Sequence, residues 1–209
     1  MEHEIRFYYP KIEYSNWYNT LNDIQILKCN GKKYEKTIQY NHPNKEFDFY
    51  SKKIDGRFRV RLSKCDTESK LMISWKRRLP KTSDVKINTE EEVELSINPL
   101  EYDNLIFLLN NVLHMNQVEC YERYRTTFSN SEVEIALDEY PFGLALEIES
   151  KDDGANFEKV IDKYMELLGL DYNDSYKLSW DDKYEELCHE QNVDVLKDVL
   201  FENDMPEIK

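Results

Sequence analysis

Like charges recur at alternate positions along several segments of this sequence. The acidic sets are Glu2/Glu4, Glu92/Glu94, Glu132/Glu134 and Glu147/Glu149, and the basic sets are Arg57/Arg59/Arg61 and Arg123/Arg125. Because residues two apart share a face of a β-strand, each set projects from one side of its strand. For any single strand, an amphipathic sheet with its charged face in water explains the pattern. Like charges repel, however, so several such strands indicate a ligand of opposite charge between them.

The two signs of charge favour two different ligands. Carboxylate oxygens are the ligands that Mg²⁺ and Mn²⁺ prefer. Arginine grips phosphate through two parallel hydrogen bonds from its planar guanidinium group. Acids and arginines that face one cavity therefore predict a site for a metal–polyphosphate complex.

The elements that must position these residues are mostly strands. Alternation predicts strands at 2–9, 33–40, 46–51, 57–64, 70–77, 91–97, 117–128, 132–138 and 143–150. Helical periodicity predicts helices at 15–25, 99–114, 155–168, 180–190 and 192–202. Asn98 is the expected N-cap of the second helix, and Gly169 is the expected stop of the third. Many strands and few helices favour a mainly β, α+β fold whose sheet closes or nearly closes.

Composition limits the class of protein. The chain has 209 residues, 40% of them hydrophobic, which suits one large domain with a short appendage. Its formal charge of −14 argues against a broad nucleic-acid surface or an anionic membrane partner. We find no signal peptide and no apolar run long enough for a membrane helix. The four cysteines form no CxxC pair, which favours reduced, buried thiols in a cytoplasmic protein.

Five short strings bring a known family into view. EHEIR at 2–6 resembles the ExExK motif of the CYTH family, also called triphosphate tunnel metalloenzymes. FRVR at 58–61, SWK at 74–76 and ERYR at 122–125 are similar to three later strands of that family. EIALDEYPFGLALEIES at 134–150 resembles its aspartate-bearing strand followed by a closing ExE strand. The motifs occur in the family's order, and the resemblance covers about residues 1–170.

The resemblance implies a closed eight-stranded antiparallel β-barrel, a triphosphate tunnel, with helices packed outside. This tunnel domain would span residues 1–175, with 176–209 as a C-terminal helical extension packed on it. The implied Mg²⁺ or Mn²⁺ ligands are Glu2, Glu4, Asp138, Glu147, Glu149 and Glu134. The implied substrate-binding residues are Arg6, Arg59, Arg61, Lys76, Arg123 and Arg125, and those with a catalytic role are Arg6, Lys76 and Asp138. For Glu134, as for Glu94, ion pairing with the arginines is an equal alternative.

The implied activity is metal-dependent hydrolysis of inorganic tripolyphosphate, thiamine triphosphate or a nucleoside triphosphate. One residue departs from the family pattern, because Arg6 stands where ExExK has a lysine. That lysine is a candidate for helping to activate water, and an arginine stays protonated and cannot act as a base. A non-catalytic module that binds polyphosphate or nucleotide is therefore an alternative.

A class IV adenylate cyclase, which converts ATP to cyclic AMP, is the second alternative. Bacterial cyclases of this class share an HF pair several residues before ExExK, whereas Met1 immediately precedes Glu2 here. We expect a monomer or homodimer with a small-molecule triphosphate as partner. The acidic segment with Asp181, Asp182, Glu185 and Glu186 is expected to be a solvated helix face, with a cover over one tunnel mouth as the alternative.

Overall fold

The fold is mainly β, with an antiparallel curled sheet and helices packed on its outer side. The computed structural model describes residues 2–49, 55–79, 88–152, 154 and 156–209. Its strands are β1 Glu2–Tyr9, β2 Lys28–Asn41, β3 Asp55–Lys64, β4 Ser69–Arg78, β5 Asn88–Ile97, β6 Asn116–Ser129, β7 Val133–Tyr140, β8 Gly143–Ser150 and β9 Asp198–Val199. Its α-helices are α1 Tyr14–Asn22, α2 Tyr102–Phe107, α3 Phe157–Leu168 and α4 Trp180–Gln191.

The order of the strands brings distant parts of the chain side by side. The order is β2-β3-β4-β5-β1-β8-β7-β6-β9, and β1 to β8 pair antiparallel with their neighbours. An additional antiparallel pairing joins β2 to β6, with Tyr34 opposite Tyr124 and Glu35 opposite Arg123. Each of the first eight strands therefore has a partner on both sides.

Alternation along the strands separates an apolar outer face from a charged inner face. On β1, Ile5 and Phe7 are buried in an outer apolar cluster, whereas Glu4 and Arg6 line an inner cavity. The outer cluster contains Ile135, Leu137, Leu146 and Ile148 of β7 and β8, together with Ile161 and Met165 of α3. This packing covers one side of the sheet and sets which side chains point inward.

A second apolar cluster lies on the outer face of β3 and β4. Val60 of β3 and Leu71 of β4 are buried there, and Leu105 of α2 packs against them. Asn98 caps the turn that precedes this helix, since its side chain accepts a hydrogen bond from Leu100 N. The predicted helix at 99–114 is a 3₁₀ turn at Pro99–Glu101, then α2, then a π-helical turn at Leu108–Val112.

Two of the predicted elements were wrong. The predicted strand at 46–51 begins as a 3₁₀ turn at Lys45–Phe47, because the Asn44 side chain caps it by accepting from Glu46 N. Residues 50 and 51 of that prediction lie outside the described residues. The predicted helix at 192–202 is extended chain with β9, because Asn192 adopts φ 54° and ends α4.

The predicted end of the third helix is confirmed, whereas the prediction for the cysteines holds only in part. Gly169 ends α3 with φ 66°, as its position after the apolar stripe indicates. All four cysteines are free; Cys120 and Cys188 are buried, but Cys65 is exposed, so the prediction of buried thiols was wrong for Cys65. Within the described ranges, no helix combines the length and the apolar character that crossing a membrane requires.

Candidate functional site

The inner face of the sheet forms a cavity lined by both signs of charge. Its lining consists of Glu4, Arg6, Arg57, Arg59, Arg61, Glu90, Tyr121, Arg123, Arg125, Tyr140, Glu147, Ser179 and Trp180. These residues come from β1, β3, β5, β6, β7 and β8 and from the start of α4. The cavity thus gathers six arginines that are far apart in the sequence.

The cavity brings together seven of the predicted site residues. These are Glu4, Arg6, Arg59, Arg61, Arg123, Arg125 and Glu147. Asp138 lies behind the cavity wall, fully buried, and contacts two of these arginines. Lys76 forms an ion pair with the lining residue Glu90, with 2.7 Å between Nζ and Oε2.

The remaining predicted residues lie on β1, β7 and β8. Glu149 stands opposite both Glu4 and Glu134 in the strand register. These residues therefore extend the inner face of the same three strands away from the cavity. Glu2 lies on β1, and its side chain is not among those that the structure describes.

One wall of the cavity is a continuous chain of ion pairs. Arg123 donates to Glu35 at 2.8 Å and to Asp138 at 2.8 Å. Arg125 donates to Asp138 at 2.7 and 2.6 Å, and its Nη2 also donates to Glu147. Positive and negative side chains alternate along this series of ion pairs, so each buried charge has a partner of opposite sign.

Arg6 continues the same chain of ion pairs. Its Nη2 lies 3.3 Å from Glu4 Oε1, and its Nε lies 2.6 Å from Glu147 Oε1. The contact between Arg6 Nε and Glu147 Oε1 is an ion pair without the geometry of a hydrogen bond. We call the set Glu4, Arg6, Glu147, Arg125, Asp138, Arg123 and Glu35 the paired wall.

Electrostatics keep two carboxyls of the paired wall, those of Glu147 and Glu35, charged at neutral pH. Burial alone would raise the pKa of the Glu147 carboxyl, but Arg6, Arg125 and Arg123 outweigh it and lower that pKa. The same competition, with Arg123 as the largest opposing charge, holds the pKa of Glu35 well below its usual value. The carboxyls of Glu147 and Glu35 therefore stay ionised and hold their arginines in place.

The opposite wall is formed by Arg57, Arg59 and Arg61 of β3, and the last two of these arginines make few close contacts with carboxylates. Arg59 forms no ion pair within 4 Å in the part of the chain that is described, and its buried Nε has no hydrogen-bond acceptor. Arg61 donates to Thr37 at 3.3 Å and lies 4.0 Å from Glu35. We call these three arginines the arginine wall.

The start of α4 holds the third arginine of that wall. Arg57 donates to Ser179 Oγ at 3.1 Å and lies 3.9 Å from Asp181. Trp180 packs against Tyr121, with ring centroids 4.3 Å apart and the ring planes tilted by 42°. The prediction that the acidic segment is wholly solvated was therefore wrong for Asp181, which lies beside an inner arginine.

Three of the predicted metal ligands do not fit a divalent ion as they are placed. Glu4, Asp138 and Glu147 all contact guanidinium groups of the paired wall. Among the described residues, no three His, Cys, Asp or Glu side chains are grouped to hold a metal ion. The carboxylates have the right chemistry, but arginines take up their oxygens.

Several residues of the site were not among the predicted site residues. Strand alternation could have predicted two of them, because Arg57 shares a strand face with Arg59 and Glu90 shares one with Glu92. Glu35 lies on β2 among inward residues of mixed type, which hides the pattern. Ser179 and Trp180 come from the C-terminal segment, so only the tertiary fold brings them to the cavity.

Comparison with known proteins rests on structure. No family model matches the sequence, and no curated protein sequence matches it. A Pyrococcus horikoshii protein superposes with a TM-score of 0.64 at 23% identity, covering 91% of this chain and 99% of that one. A putative adenylate cyclase from Vibrio parahaemolyticus gives 0.60 at 16% identity, covering 86% and 95%.

A third match carries a stated activity. A putative adenylyl cyclase from Hippeastrum, described as having a dominant triphosphatase activity, gives a TM-score of 0.60 at 16% identity, covering 89% of this chain and 96% of that one. The chain has the CYTH-like fold. At these identities the likeness establishes the fold alone. The CYTH-like fold nevertheless explains why inward residues from so many strands meet in one cavity.

Proposed function

We propose that the curled sheet closes into a tunnel that binds a triphosphate group and hydrolyses one of its phosphoanhydride bonds. β2, the first strand of the order, also pairs with β6, the last of the eight antiparallel strands. This additional pairing supports closure. The observation that carries binding is the arginine wall, where Arg59 has no carboxylate partner within 4 Å among the described residues. Guanidinium groups without close counter-charges are suited to phosphate oxygens.

The two walls have different roles in this proposal. Arg57, Arg59 and Arg61 bind the phosphate oxygens directly and neutralise their charge. The paired wall orients Arg6 and Arg125 at fixed positions across the cavity. Phosphoryl transfer through a loose transition state depends mainly on positioning and on electrostatic stabilisation. Prepositioned arginines can supply both.

The predicted metal ions have no step in this proposal. Glu4, Asp138 and Glu147 were predicted as ligands, and each contacts an arginine instead. Lys76 is paired with Glu90 and would contribute to the field of the cavity rather than act as a base. The substrate class is inorganic triphosphate, thiamine triphosphate or a nucleoside triphosphate.

Residues 176–209 would act as an extension that seals one end of the tunnel. β9 pairs in parallel with β6, with Val199 opposite Tyr121. Trp180 and Tyr184 are buried against inward aromatic residues that include Tyr140. These contacts support a tunnel domain at 1–175 and a packed C-terminal extension.

A binding module without turnover is the second candidate, and Arg6 favours it. Burial alone would lower the pKa of Arg6, but Glu147 and neighbouring groups raise it well above its usual value. Its guanidinium therefore cannot accept a proton from water. A class IV cyclase is the third candidate, favoured by the shared fold with two putative adenylate cyclases.

A product assay distinguishes the three functions. Purified protein is incubated with tripolyphosphate, ATP or thiamine triphosphate, each with Mg²⁺, with Mn²⁺ or with EDTA. Release of inorganic phosphate supports the hydrolase, and cyclic AMP with pyrophosphate supports the cyclase. Saturable binding with no product supports the binding module. Absence of both binding and products for all three compounds would overturn the proposal.

A further inference from the structure

Arg6 occupies the place between two carboxylates that a divalent cation would need. Glu4 lies on the same strand face as Arg6, and Glu147 stands directly opposite it on β8. The guanidinium lies 3.3 Å from Glu4 and 2.6 Å from Glu147. Glu4 and Glu147 are only 5% and 6% exposed, so their oxygens have little access to other cations.

A neighbouring arginine, Arg125, takes up the second oxygen of Glu147 and both oxygens of Asp138. Glu147 thus has one guanidinium at each oxygen, Arg6 at Oε1 and Arg125 at Oε2. A metal ion entering here would have to break at least one buried ion pair and leave an arginine uncompensated, which is costly.

Arginine differs from lysine in this place. A lysine ammonium is a flexible point charge that can move aside or lose its proton when buried. A guanidinium stays protonated and its planar group matches two carboxylates at once. The substitution of arginine for lysine therefore makes the cation between Glu4 and Glu147 permanent.

We propose that Arg6 takes the place of a divalent cation, so that this tunnel binds triphosphate without a metal ion. This inference rests on the proposed function. Direct contacts from the arginine wall then replace the bridging that a metal ion would give to phosphate oxygens. Removal of divalent ions leaves binding intact.

The first experiment compares tripolyphosphate binding by wild-type protein in EDTA and in excess Mg²⁺, using isothermal titration calorimetry. We expect dissociation constants within about threefold of each other. An affinity at least about tenfold weaker in EDTA would overturn metal independence. No binding in either buffer would overturn the proposed function itself, so the two failures are distinct.

The second experiment needs no triphosphate. Mn²⁺ binding is followed by electron paramagnetic resonance for the wild type, for Arg6→Ala and for the control Arg61→Ala. Removing Arg6 leaves Glu4 and Glu147 without their shared cation, so only Arg6→Ala should gain a Mn²⁺ site. Arg61 lies 4.0 Å from its nearest carboxylate, Glu35, so its removal frees no such pair.

The outcomes of the second experiment are decisive in both directions. Mn²⁺ bound by wild-type protein at the affinity of Arg6→Ala would overturn the inference, as would a gain of the same size in Arg61→Ala. If Arg6→Ala is unfolded, Arg6→Lys is used, and its expected result is a tighter Mn²⁺ site than that of the wild type. No difference between Arg6→Lys and the wild type would also overturn the inference.

Discussion

The two walls of the cavity carry the same residue type in opposite circumstances. In the paired wall, the contacts of Arg123 and Arg125 with Glu35 and Asp138 measure 2.8 Å or less. In the arginine wall, the ion pairs that Arg57 and Arg61 form with Asp181 and Glu35 measure 3.9 and 4.0 Å. Arginines of the first kind link the strands of the inner face, whereas Arg59 and Arg61 of the second kind have no carboxylate closer than 4.0 Å among the described residues. Position on the inner face alone does not decide the role of an arginine.

The largest expected effect comes from breaking the paired wall. Arg123→Met leaves Glu35 and Asp138 buried with part of their compensation lost. We expect a loss of about 3–5 kcal/mol in the free energy of unfolding, because removing one partner strands a buried charge. Urea denaturation followed by circular dichroism measures it. A loss below about 1 kcal/mol would mean that the paired wall contributes little to the fold.

The next effect concerns ligand affinity in the arginine wall. Arg59→Gln removes the arginine without a close carboxylate and should weaken tripolyphosphate binding by about 1.5–3 kcal/mol. Its free energy of unfolding should change by less than about 0.5 kcal/mol, because no close ion pair is lost. Calorimetric titration and urea denaturation of the same preparation test both halves. Equal stability losses in Arg59→Gln and Arg123→Met would erase the distinction between the walls.

A pH dependence distinguishes the acid beside the arginine wall from those of the paired wall. Burial and Asp181 raise the pKa of Glu119 to about 8, and Arg59 and Arg57 only partly oppose the rise. The charge of Glu185 also contributes to this rise in the pKa of Glu119. The folded state then binds a proton that the unfolded state has already lost.

The sign of the effect follows from this proton. Stability contributed by Glu119 is complete below the unfolded pKa of about 4.3 and is lost as the pH rises to about 8. The free energy of unfolding should fall by up to about 1.4 kcal/mol per pH unit in this window. Glu119→Gln should make the free energy of unfolding depend less steeply on pH. Urea denaturation at a series of pH values from about 5 to about 8 measures this slope. An unchanged slope would contradict the raised pKa.

The smallest expected effect lies where α4 meets the arginine wall. Ser179 accepts from Arg57, and both its backbone N and its Oγ donate to Asp182. Ser179→Ala should cost about 1 kcal/mol of stability, the usual cost of losing an N-cap. Triphosphate affinity should fall less than in Arg59→Gln. A larger affinity loss than that of Arg59→Gln would place Ser179 in direct contact with the ligand.

Local geometry explains which parts of the site were predictable. The two-residue period of a strand is enough to predict that Arg6, Arg59 and Arg123 lie on the inner face. Which acid meets which arginine depends on pairing between distant strands, such as Glu35 of β2 with Arg123 of β6. That register is a long-range property, so the paired wall and the arginine wall look alike in the sequence.

The C-terminal segment shows the same limit. Trp180 is buried against Tyr121 of β6, although nothing in its neighbours along the chain indicates that contact. The predicted helix at 192–202 failed because Lys197 accepts a backbone hydrogen bond from Cys120 and the segment joins the sheet. Pairing with β6 at Cys120 and Tyr121 therefore determined the conformation of this segment more than its weak helical pattern did.

The central claim is that the arginine wall receives a triphosphate. Calorimetric titration of tripolyphosphate into wild-type protein, an Arg59→Gln/Arg61→Gln variant and a Lys70→Gln control tests it most directly. Lys70 is exposed and paired only with Glu68 among the described residues, so its loss alters net charge without touching the cavity. We predict 1:1 binding to the wild type and the control, and loss of binding in the double variant. Equal affinity in all three proteins would contradict the claim.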